Sequence, residues 1–332
     1  MTAGASRVIT ALRGPEPGPT LIVIGAIHGN EPAGLVAARA ALGAVSASAV
    51  RGEVLALVGN RRASELGRRF LGRDLNRMWT AEQIAAARAG GAAGRVAPGA
   101  GEPSRPSGPS ASPGRSALAE PADPADPAEL AELAELADTI DAVIAHARGP
   151  VIVLDLHTTS APGFPFAVVG PTPEHRRFAE AFPLPGILGL EEALPGVLTG
   201  YLGRLGCVTL AIEGGQHTSQ AAADNLAAVV TIALEAAGVV RAVAGAGAAR
   251  AHLTRVRGAL PHLIEVAVRH PVRPEHGFRM EPGFANLQRT AAGTLLARDI
   301  TGEIRAPFDG VVLLPLYQPD GDDGFFYGRA LV

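Results

Sequence analysis

Hydrophobic and polar positions divide the chain into apolar runs and segments of helical periodicity. The apolar runs are short and nearly continuous rather than alternating, which is typical of strands buried on both faces of a sheet. Helical segments lie between them, and this order predicts an α/β domain whose mixed, largely parallel sheet is flanked by helices. Strands are expected at 7–12, 20–27, 52–59, 150–157 and 207–215, and helices at 32–45, 127–147 and 221–240.

Two parts of the chain depart from this pattern. Residues 87–127 consist mostly of Gly, Pro, Ala and Ser and hold almost no large apolar side chain, so we expect a disordered surface insertion there. Residues 242–250 are small and are interpreted as a linker, after which short strand-like runs are broken by Gly, Pro and Asp without a helical repeat. We therefore predict an α/β domain at 1–247 and a small all-β domain at 250–332.

Composition narrows the class of protein. A net charge of −3 without a long basic run gives no electrostatic footprint for nucleic acid, and no apolar stretch reaches the roughly eighteen residues of a membrane span. The N-terminus lacks the basic and apolar regions of a secretory signal, and the single cysteine, Cys207, permits no internal disulfide. We expect a cytoplasmic protein without nucleic-acid or membrane partners.

The chain contains no lysine, and all 29 of its basic side chains are arginines. This absence excludes Schiff-base chemistry on a lysine, including that of pyridoxal phosphate. It also excludes a Walker A phosphate loop, which needs a lysine at the phosphates.

Histidine and glutamate side chains follow three of the expected strands. His28 and Glu31 come after the second strand, His157 ends the fourth, and Glu213 lies at the end of the fifth. Ligands bind beyond the carboxyl ends of parallel strands, so these four side chains converge if the strands are neighbours. Two histidines, one glutamate and one free carboxylate are the set that a catalytic zinc hydrolase requires.

Each of these residues alone has a simpler interpretation. Glu31 at a helix start could complement the helix dipole, His157 could be a hydrogen-bonded core histidine, and Glu213 before two glycines could mark a turn. Their common position at strand ends is what favours a metal site. Asp155, two residues before His157 on the same strand face, could hold that histidine by a hydrogen bond or be purely structural. His217, four residues after Glu213, could lie near the site, but we interpret it as a surface histidine.

An arginine-rich segment follows the third expected strand. Arg69 and Arg77 are candidates for binding a carboxylate through two hydrogen bonds, and Asn76 would add further donors. The alternative is a solvated surface turn, which is the interpretation for Arg68 and Arg73.

Together these motifs resemble the succinylglutamate desuccinylase and aspartoacylase family. The resemblance rests, in chain order, on HGNEPAG, GNRRA, RFLGRDLNR, DLHTTS and IEGGQH, and it covers most of the chain apart from the insertion at 87–127. It implies a zinc-carboxypeptidase-like α/β domain and a C-terminal β domain that caps the active site. It also implies one Zn²⁺ per chain, held by His28, Glu31 and His157.

The resemblance further implies roles for four other residues. Glu213 would be the general base and acid, and Arg69 would polarise the scissile amide carbonyl. Asn76 and Arg77 would bind a carboxylate of the substrate. The implied reaction is zinc-dependent hydrolysis of the amide bond of an N-acyl amino acid, a small-molecule substrate.

Several points stay open at the level of the sequence. The lysine of some family pockets has no counterpart here, so neither the acyl group nor the amino acid is identified. The ligand pattern also fits a zinc metallocarboxypeptidase acting on peptide C-termini. A non-catalytic metal- or ligand-binding protein is a third hypothesis, which would require a missing ligand or base. The oligomeric state is open, and the resemblance is compatible with a homo-oligomer.

Overall fold

The structure, a computed structural model, describes residues 6–93 and 127–331 of the chain. The α-helices are α1 (Ala33–Gly43), α2 (Arg61–Glu65), α3 (Ala81–Ala93), α4 (Pro127–His146), α5 (Pro173–Ala179), α6 (Leu190–Ala193), α7 (Leu198–Arg204), α8 (Gln220–Ala236) and α9 (Ala246–Arg257). The strands up to residue 216 are β1 (Val8–Arg13), β2 (Thr20–Gly25), β3 (Glu53–Val58), β4 (Val151–Thr159), β5 (Phe166–Val169), β6 (Gly186–Leu188) and β7 (Val208–Gln216). The later strands are β8 (Leu263–Pro271), β9 (Arg279–Met280), β10 (Gln288–Thr290), β11 (Leu295–Asp299), β12 (Gly302–Arg305), β13 (Gly310–Leu313) and β14 (Asp323–Leu331). Short 3₁₀ helices lie at Ala47–Ala49, Leu75–Arg77 and Pro274–His276.

The central sheet has the strand order β1-β3-β2-β4-β7-β5-β6-β8-β14-β13-β10. Its middle strands β3, β2, β4 and β7 are parallel, whereas β1 and β5 pair antiparallel with β3 and β7. This confirms the prediction of a mixed, largely parallel sheet flanked by helices.

Both faces of the sheet are covered, which explains the continuous apolar runs. Along β2, Leu21 and Val23 belong to the apolar cluster that includes residues of α1 and α8, whereas Ile22 and Ile24 belong to the cluster that includes residues of α4. All four side chains are inaccessible to solvent. Side chains alternate between the two faces of a strand, so a strand covered on both faces needs apolar residues at every position.

The C-terminal strands continue the same sheet. β8 pairs parallel with β6, and the antiparallel strands β14, β13 and β10 follow, while β12, β11 and β9 form a separate three-stranded sheet. Short strands were expected here from the sequence. The division of the chain into domains at 1–247 and 250–332 stays a prediction.

Two expectations about irregular segments need correction. α9 spans Ala246–Arg257, so residues 246–250 of the expected linker are helical, and residues 250–257 are helical rather than β. The helix escapes a pattern search because it begins with small residues, and only Ala246 and Leu253 are buried. The expected insertion at 87–127 also begins too early, since α3 continues to Ala93. The rest of the insertion lies outside the described residues.

Within the described residues, no helix combines the length and the apolar character needed to cross a membrane.

Candidate functional site

Three parallel strands bring the candidate residues together. β4 lies between β2 and β7, and its register places His157 directly beside Glu213. His28 and Glu31 lie in the turn between β2 and α1, at the carboxyl edge of the same sheet. The condition for convergence, that these strands are parallel neighbours, is therefore fulfilled.

Two histidines face the carboxylate of one glutamate. The Nδ1 atom of His28 lies 2.9 Å from Oε1 of Glu31, and the Nδ1 atom of His157 lies 3.2 Å from Oε2 of the same carboxylate. All three side chains are buried, and one potential ligand atom from each lies within 4.8 Å of the others. Two imidazole nitrogens and a carboxylate oxygen are a donor set suited to zinc.

The remaining nitrogen of each imidazole is close to a second carboxylate. Nε2 of His28 lies 3.1 Å from Oδ1 of Asp74, and Nε2 of His157 lies 2.9 Å from Oδ2 of Asp155. An Nε2–H that donates to these carboxylates leaves the lone pair of each Nδ1 directed at the shared position beside Glu31. Metal-binding histidines are commonly oriented by such carboxylates. The residues therefore fit a divalent cation.

The carboxylates and imidazoles of the cluster shift one another's pKa values. Burial alone would raise the pKa of Glu31, but His28 and His157 hold it well below its usual value. Burial alone would lower the pKa of His157, but Asp155 and then Glu31 raise it well above its usual value. The carboxylates thus favour a positive charge at the place where the histidine Nδ1 atoms face Glu31.

The backbone around His28 is tightly constrained. Ala26 has a positive φ of 55°, a strained conformation for a residue with a Cβ. Gly29 donates its N–H to the carbonyl of Arg69 over 3.0 Å, and a Cβ at this position would lie 2.2 Å from the carbonyl carbon of Ala63. Glycine in the HGNE motif is therefore required by the close approach of this turn to the backbone of α2. The contact also ties Arg69 to the turn that carries His28.

Arg69 and Glu213 flank the histidine cluster. Arg69 donates to Oε1 of Glu31 over 3.3 Å and to Oδ2 of Asp74 over 3.1 Å. Oε2 of Glu213 is buried and has no hydrogen-bond partner among the described residues. Burial raises the pKa of Glu213 to about 8, against the opposing effect of His157.

Asn76 and Arg77 line the same pocket, and each forms some of its possible hydrogen bonds with other residues of the protein. Oδ1 of Asn76 accepts the backbone N–H of Leu198 over 2.9 Å. Arg77 forms an ion pair with Asp323 at 3.2 Å, and its Nε is buried without a partner among the described residues. Every residue proposed for the site from the sequence thus lies in or directly lines one pocket.

The pocket is a cavity of about 130 Å³ whose outer wall comes from the C-terminal strands and their connections. Its lining there includes Leu314, Pro315, Leu316, Gln318, Gly321, Asp322, Asp323 and Phe326. His217 also lines the pocket, where Nδ1 lies 2.8 Å from Oγ1 of Thr158 and Nε2 lies 3.2 Å from Oε1 of Gln318. The interpretation of His217 as a surface histidine is therefore wrong.

Sequence reasoning missed three further residues of this site: Asp74, Gln318 and Glu191. Asp74 was visible in the arginine-rich motif, but nothing local links it to His28. Gln318 and Glu191 carry no motif signal, since they reach the pocket only through the fold.

Comparisons with known proteins agree with the resemblance seen in the sequence. Residues 17–95 match the family model described as succinylglutamate desuccinylase/aspartoacylase catalytic domain. This match includes His28, Glu31, Arg69, Asn76 and Arg77, and it confirms the resemblance to that family. No curated protein sequence matches the chain.

Solved structures share the fold over nearly the whole chain. The product-bound ectoine utilization protein EutE (DoeB) from Ruegeria pomeroyi is 20% identical, with a TM-score of 0.62, and the match covers 96% of this chain and 87% of that one. A succinylglutamate desuccinylase/aspartoacylase from Rhodobacter sphaeroides is 18% identical, with a TM-score of 0.63 and coverage of 97% and 88%. The succinylglutamate desuccinylase from Vibrio cholerae is 16% identical, with a TM-score of 0.59 and coverage of 95% and 82%. At these identities the matches establish the fold alone.

Proposed function

We propose that the protein is a zinc-dependent amidohydrolase that removes the acyl group from an N-acyl amino acid. The observation that carries this proposal is the convergence of His28, Glu31 and His157 with Glu213 beside them on the neighbouring strand. The match of residues 17–95 to the catalytic-domain model supports the same class of reaction. A cytoplasmic location and a small-molecule partner are part of this proposal.

The metal would be held by Nδ1 of His28, Nδ1 of His157 and the carboxylate of Glu31. When bound, zinc supplies a Lewis acid that polarises a carbonyl oxygen and makes a neighbouring water more acidic. Asp74 and Asp155 accept from the Nε2–H groups of the two histidines, which fixes the rings and the tautomer.

Glu213 is the group proposed to move the proton. A carboxyl with a pKa near the working pH can both accept and deliver a proton, and burial brings the pKa of Glu213 to about 8. Glu213 takes a proton from the water that attacks the acyl carbon and delivers it to the leaving nitrogen. The C–N bond breaks in that step, and the products are a carboxylic acid and a free amino acid.

Arg69 is proposed to stabilise the negative charge that develops on the carbonyl oxygen. Its guanidinium is oriented by Asp74 and Glu31, so no reorganisation is needed at the moment of reaction. The planar guanidinium keeps its charge under all relevant conditions because burial is outweighed by Asp74 and Glu31, which raise the pKa of Arg69.

Asn76 and Arg77 are proposed to bind the α-carboxylate of the amino acid half. The buried Nε of Arg77 has no partner among the described residues and is available for such a ligand. The pocket, whose lining includes Leu314–Leu316 and Gly321–Asp323, has a volume of about 130 Å³. This small volume favours an N-acyl amino acid over the peptide substrate of a metallocarboxypeptidase.

Metal analysis followed by a substrate panel tests the proposal. We expect stoichiometric zinc in the purified protein and hydrolysis of at least one member of a panel of acetyl, succinyl and other N-acyl amino acids. Peptides ending in a free carboxylate belong in the same panel. A protein that binds no zinc would contradict the proposal, and preferential cleavage of peptides would favour the metallocarboxypeptidase.

A further inference from the structure

Glu191 is a buried acid that lines the pocket away from the histidine cluster. Its relative exposure is 9%. Its side chain forms no hydrogen bond or ion pair with any residue in 6–93 or 127–331. A buried carboxylate without a partner is unfavourable unless a ligand provides one. Apolar residues that line the same pocket include Val168, Leu190, Leu194, Val197 and Phe326.

The backbone leaves room for this carboxylate at two glycines. A Cβ at Gly170 would lie 3.1 Å from Oε2 of Glu191, and a Cβ at Gly200 would lie 2.9 Å from Oε1. Any side chain at Gly200 would therefore displace the acid, and one at Gly170 would press on it and on His175, whose Nδ1 would be 2.2 Å away. Because Gly170 and Gly200 have no side chains, the carboxylate of Glu191 can occupy the space beside them.

The charges of the pocket favour a cationic ligand at this position. Two arginines line the pocket among the described residues, and both already face acids: Arg69 pairs with Glu31 and Asp74, and Arg77 pairs with Asp323. No arginine lies within ion-pair distance of Glu191 in the described part of the chain. A second carboxylate on the substrate would have no free cation to meet. Burial raises the pKa of Glu191 to about 7, with Glu192 adding to the rise and Arg204 opposing it.

Glu191 lies on the side of the pocket proposed to bind the amino acid half of the substrate. The segment after α6 contacts both carboxylate-binding candidates. The N–H of Leu198 donates to Oδ1 of Asn76, and a Cβ at Gly196 would lie 2.3 Å from the carbonyl oxygen of Arg77. A side chain of an amino acid held at Asn76 would therefore have Glu191 in the adjoining wall.

We propose that Glu191 binds a cationic group at the end of the amino acid side chain, so that the preferred substrates are N-acyl derivatives of basic amino acids. This inference rests on the proposed amidohydrolase function and specifies its substrate class. An ammonium or guanidinium group would provide the partner that the buried carboxylate lacks. An acidic amino acid would place two carboxylates in the same apolar wall.

Matched substrates and variants of the zinc-loaded full chain test this inference. Nα-acetyl-ornithine and Nα-acetyl-norleucine differ by an ammonium in place of a methyl group, and Nα-acetyl-glutamate carries the opposite charge. We expect kcat/KM for the ornithine derivative to exceed that for the norleucine derivative at least about tenfold, the factor that corresponds to about 1.4 kcal/mol. Glu191→Gln should reduce this ratio to about one. Glu192→Gln, which removes the neighbouring exposed acid, should preserve it.

Binding of the free amino acids gives a second readout that does not depend on the acyl group. Calorimetry with L-ornithine and L-norleucine should show the same preference in the wild-type protein and its loss in Glu191→Gln. If no N-acyl amino acid is hydrolysed, the proposed function fails, while the calorimetric comparison still decides the role of Glu191. If hydrolysis occurs without a preference for ornithine, or if Glu191→Gln keeps the preference, the inference about Glu191 is overturned and the proposed function stands.

Discussion

Asp74 and His28 lie 46 residues apart in the chain, yet Oδ1 of Asp74 is 3.1 Å from Nε2 of His28. His157 has the same arrangement with Asp155, its neighbour on β4. Each imidazole is thus held by one carboxylate while its Nδ1 faces Glu31. The candidate metal site contains two histidine–carboxylate pairs, one formed within a strand and one formed across the fold.

We predict that Asp74→Asn and Asp155→Asn each weaken zinc binding by about 10- to 100-fold, because the neutral amide no longer increases the basicity of the imidazole. Competition with a chromophoric chelator measures the change. Asp323→Asn is the matched control, since Asp323 lines the same pocket but pairs with Arg77 and touches no proposed ligand. Wild-type zinc affinity in both Asp74→Asn and Asp155→Asn would show that these pairs do not act on a metal.

Glu213→Gln should retain zinc and lose at least about 100-fold in kcat, the usual contribution of a general base. The substitution removes the proton acceptor but keeps the size of the side chain. Zinc content and kcat are measured on the same preparation, so that a loss of metal is distinguished from a loss of chemistry. A Glu213→Gln protein with full activity would exclude this residue as the base.

The sequence carried enough information for the parallel sheet and the polar strand ends. Uninterrupted apolar runs indicate strands that are covered on both faces. The histidine and glutamate residues that end such runs can be identified directly in the sequence. Asp155 could also be suggested, because two residues along a strand restore the same face.

Contacts that depend on the path of the chain could not be predicted in this way. Asp74 reaches His28 only through the fold, and no local pattern encodes that approach. Glu191 lies on a helix of four residues, which is too short to show a periodic pattern in the sequence. This helix follows Gly189, whose φ is 79°. α9 was missed because it begins with small residues and buries only Ala246 and Leu253.

A buried ion pair attaches α4 to the start of the chain. Arg7 and Glu132 meet at 2.6 Å with both side chains almost fully buried. Glu132→Ala should lower the free energy of unfolding by about 3 kcal/mol, because it leaves the Arg7 guanidinium buried without its closest acid. Asp141 lies on α4, like Glu132, and forms an exposed ion pair with Arg88 of α3. Asp141→Ala should change the free energy of unfolding by less than about 1 kcal/mol. Urea unfolding compares the two variants, and equal effects would contradict a special role for the buried pair.

The acid Glu191 should make the stability of the protein depend on pH. Its pKa rises from 4.5 to about 7 on folding, mainly through burial, with Glu192 adding to the rise and Arg204 opposing it. His175 on α5 and Arg269 on β8 also lie on elements packed around α6, and Arg269 donates to the carbonyl of Ala193. None of these groups forms an ion pair with Glu191 within the described residues.

Between pH 4.5 and 7 the unfolded chain releases the proton of Glu191 while the folded protein keeps it. The folded state therefore binds more protons in this window, and the contribution of Glu191 to the free energy of unfolding should fall as the pH rises and level off above pH 7. At about 1.4 kcal/mol per pKa unit the fall is at most about 3 kcal/mol, less what water in the pocket screens. Chemical unfolding at a series of pH values should show this slope in the wild type and in Glu192→Gln. Glu191→Gln should make the slope shallower but not flat, because glutamine does not titrate whereas Glu213, whose pKa burial raises to about 8, still does. An unchanged slope in that variant would place the responsible proton elsewhere.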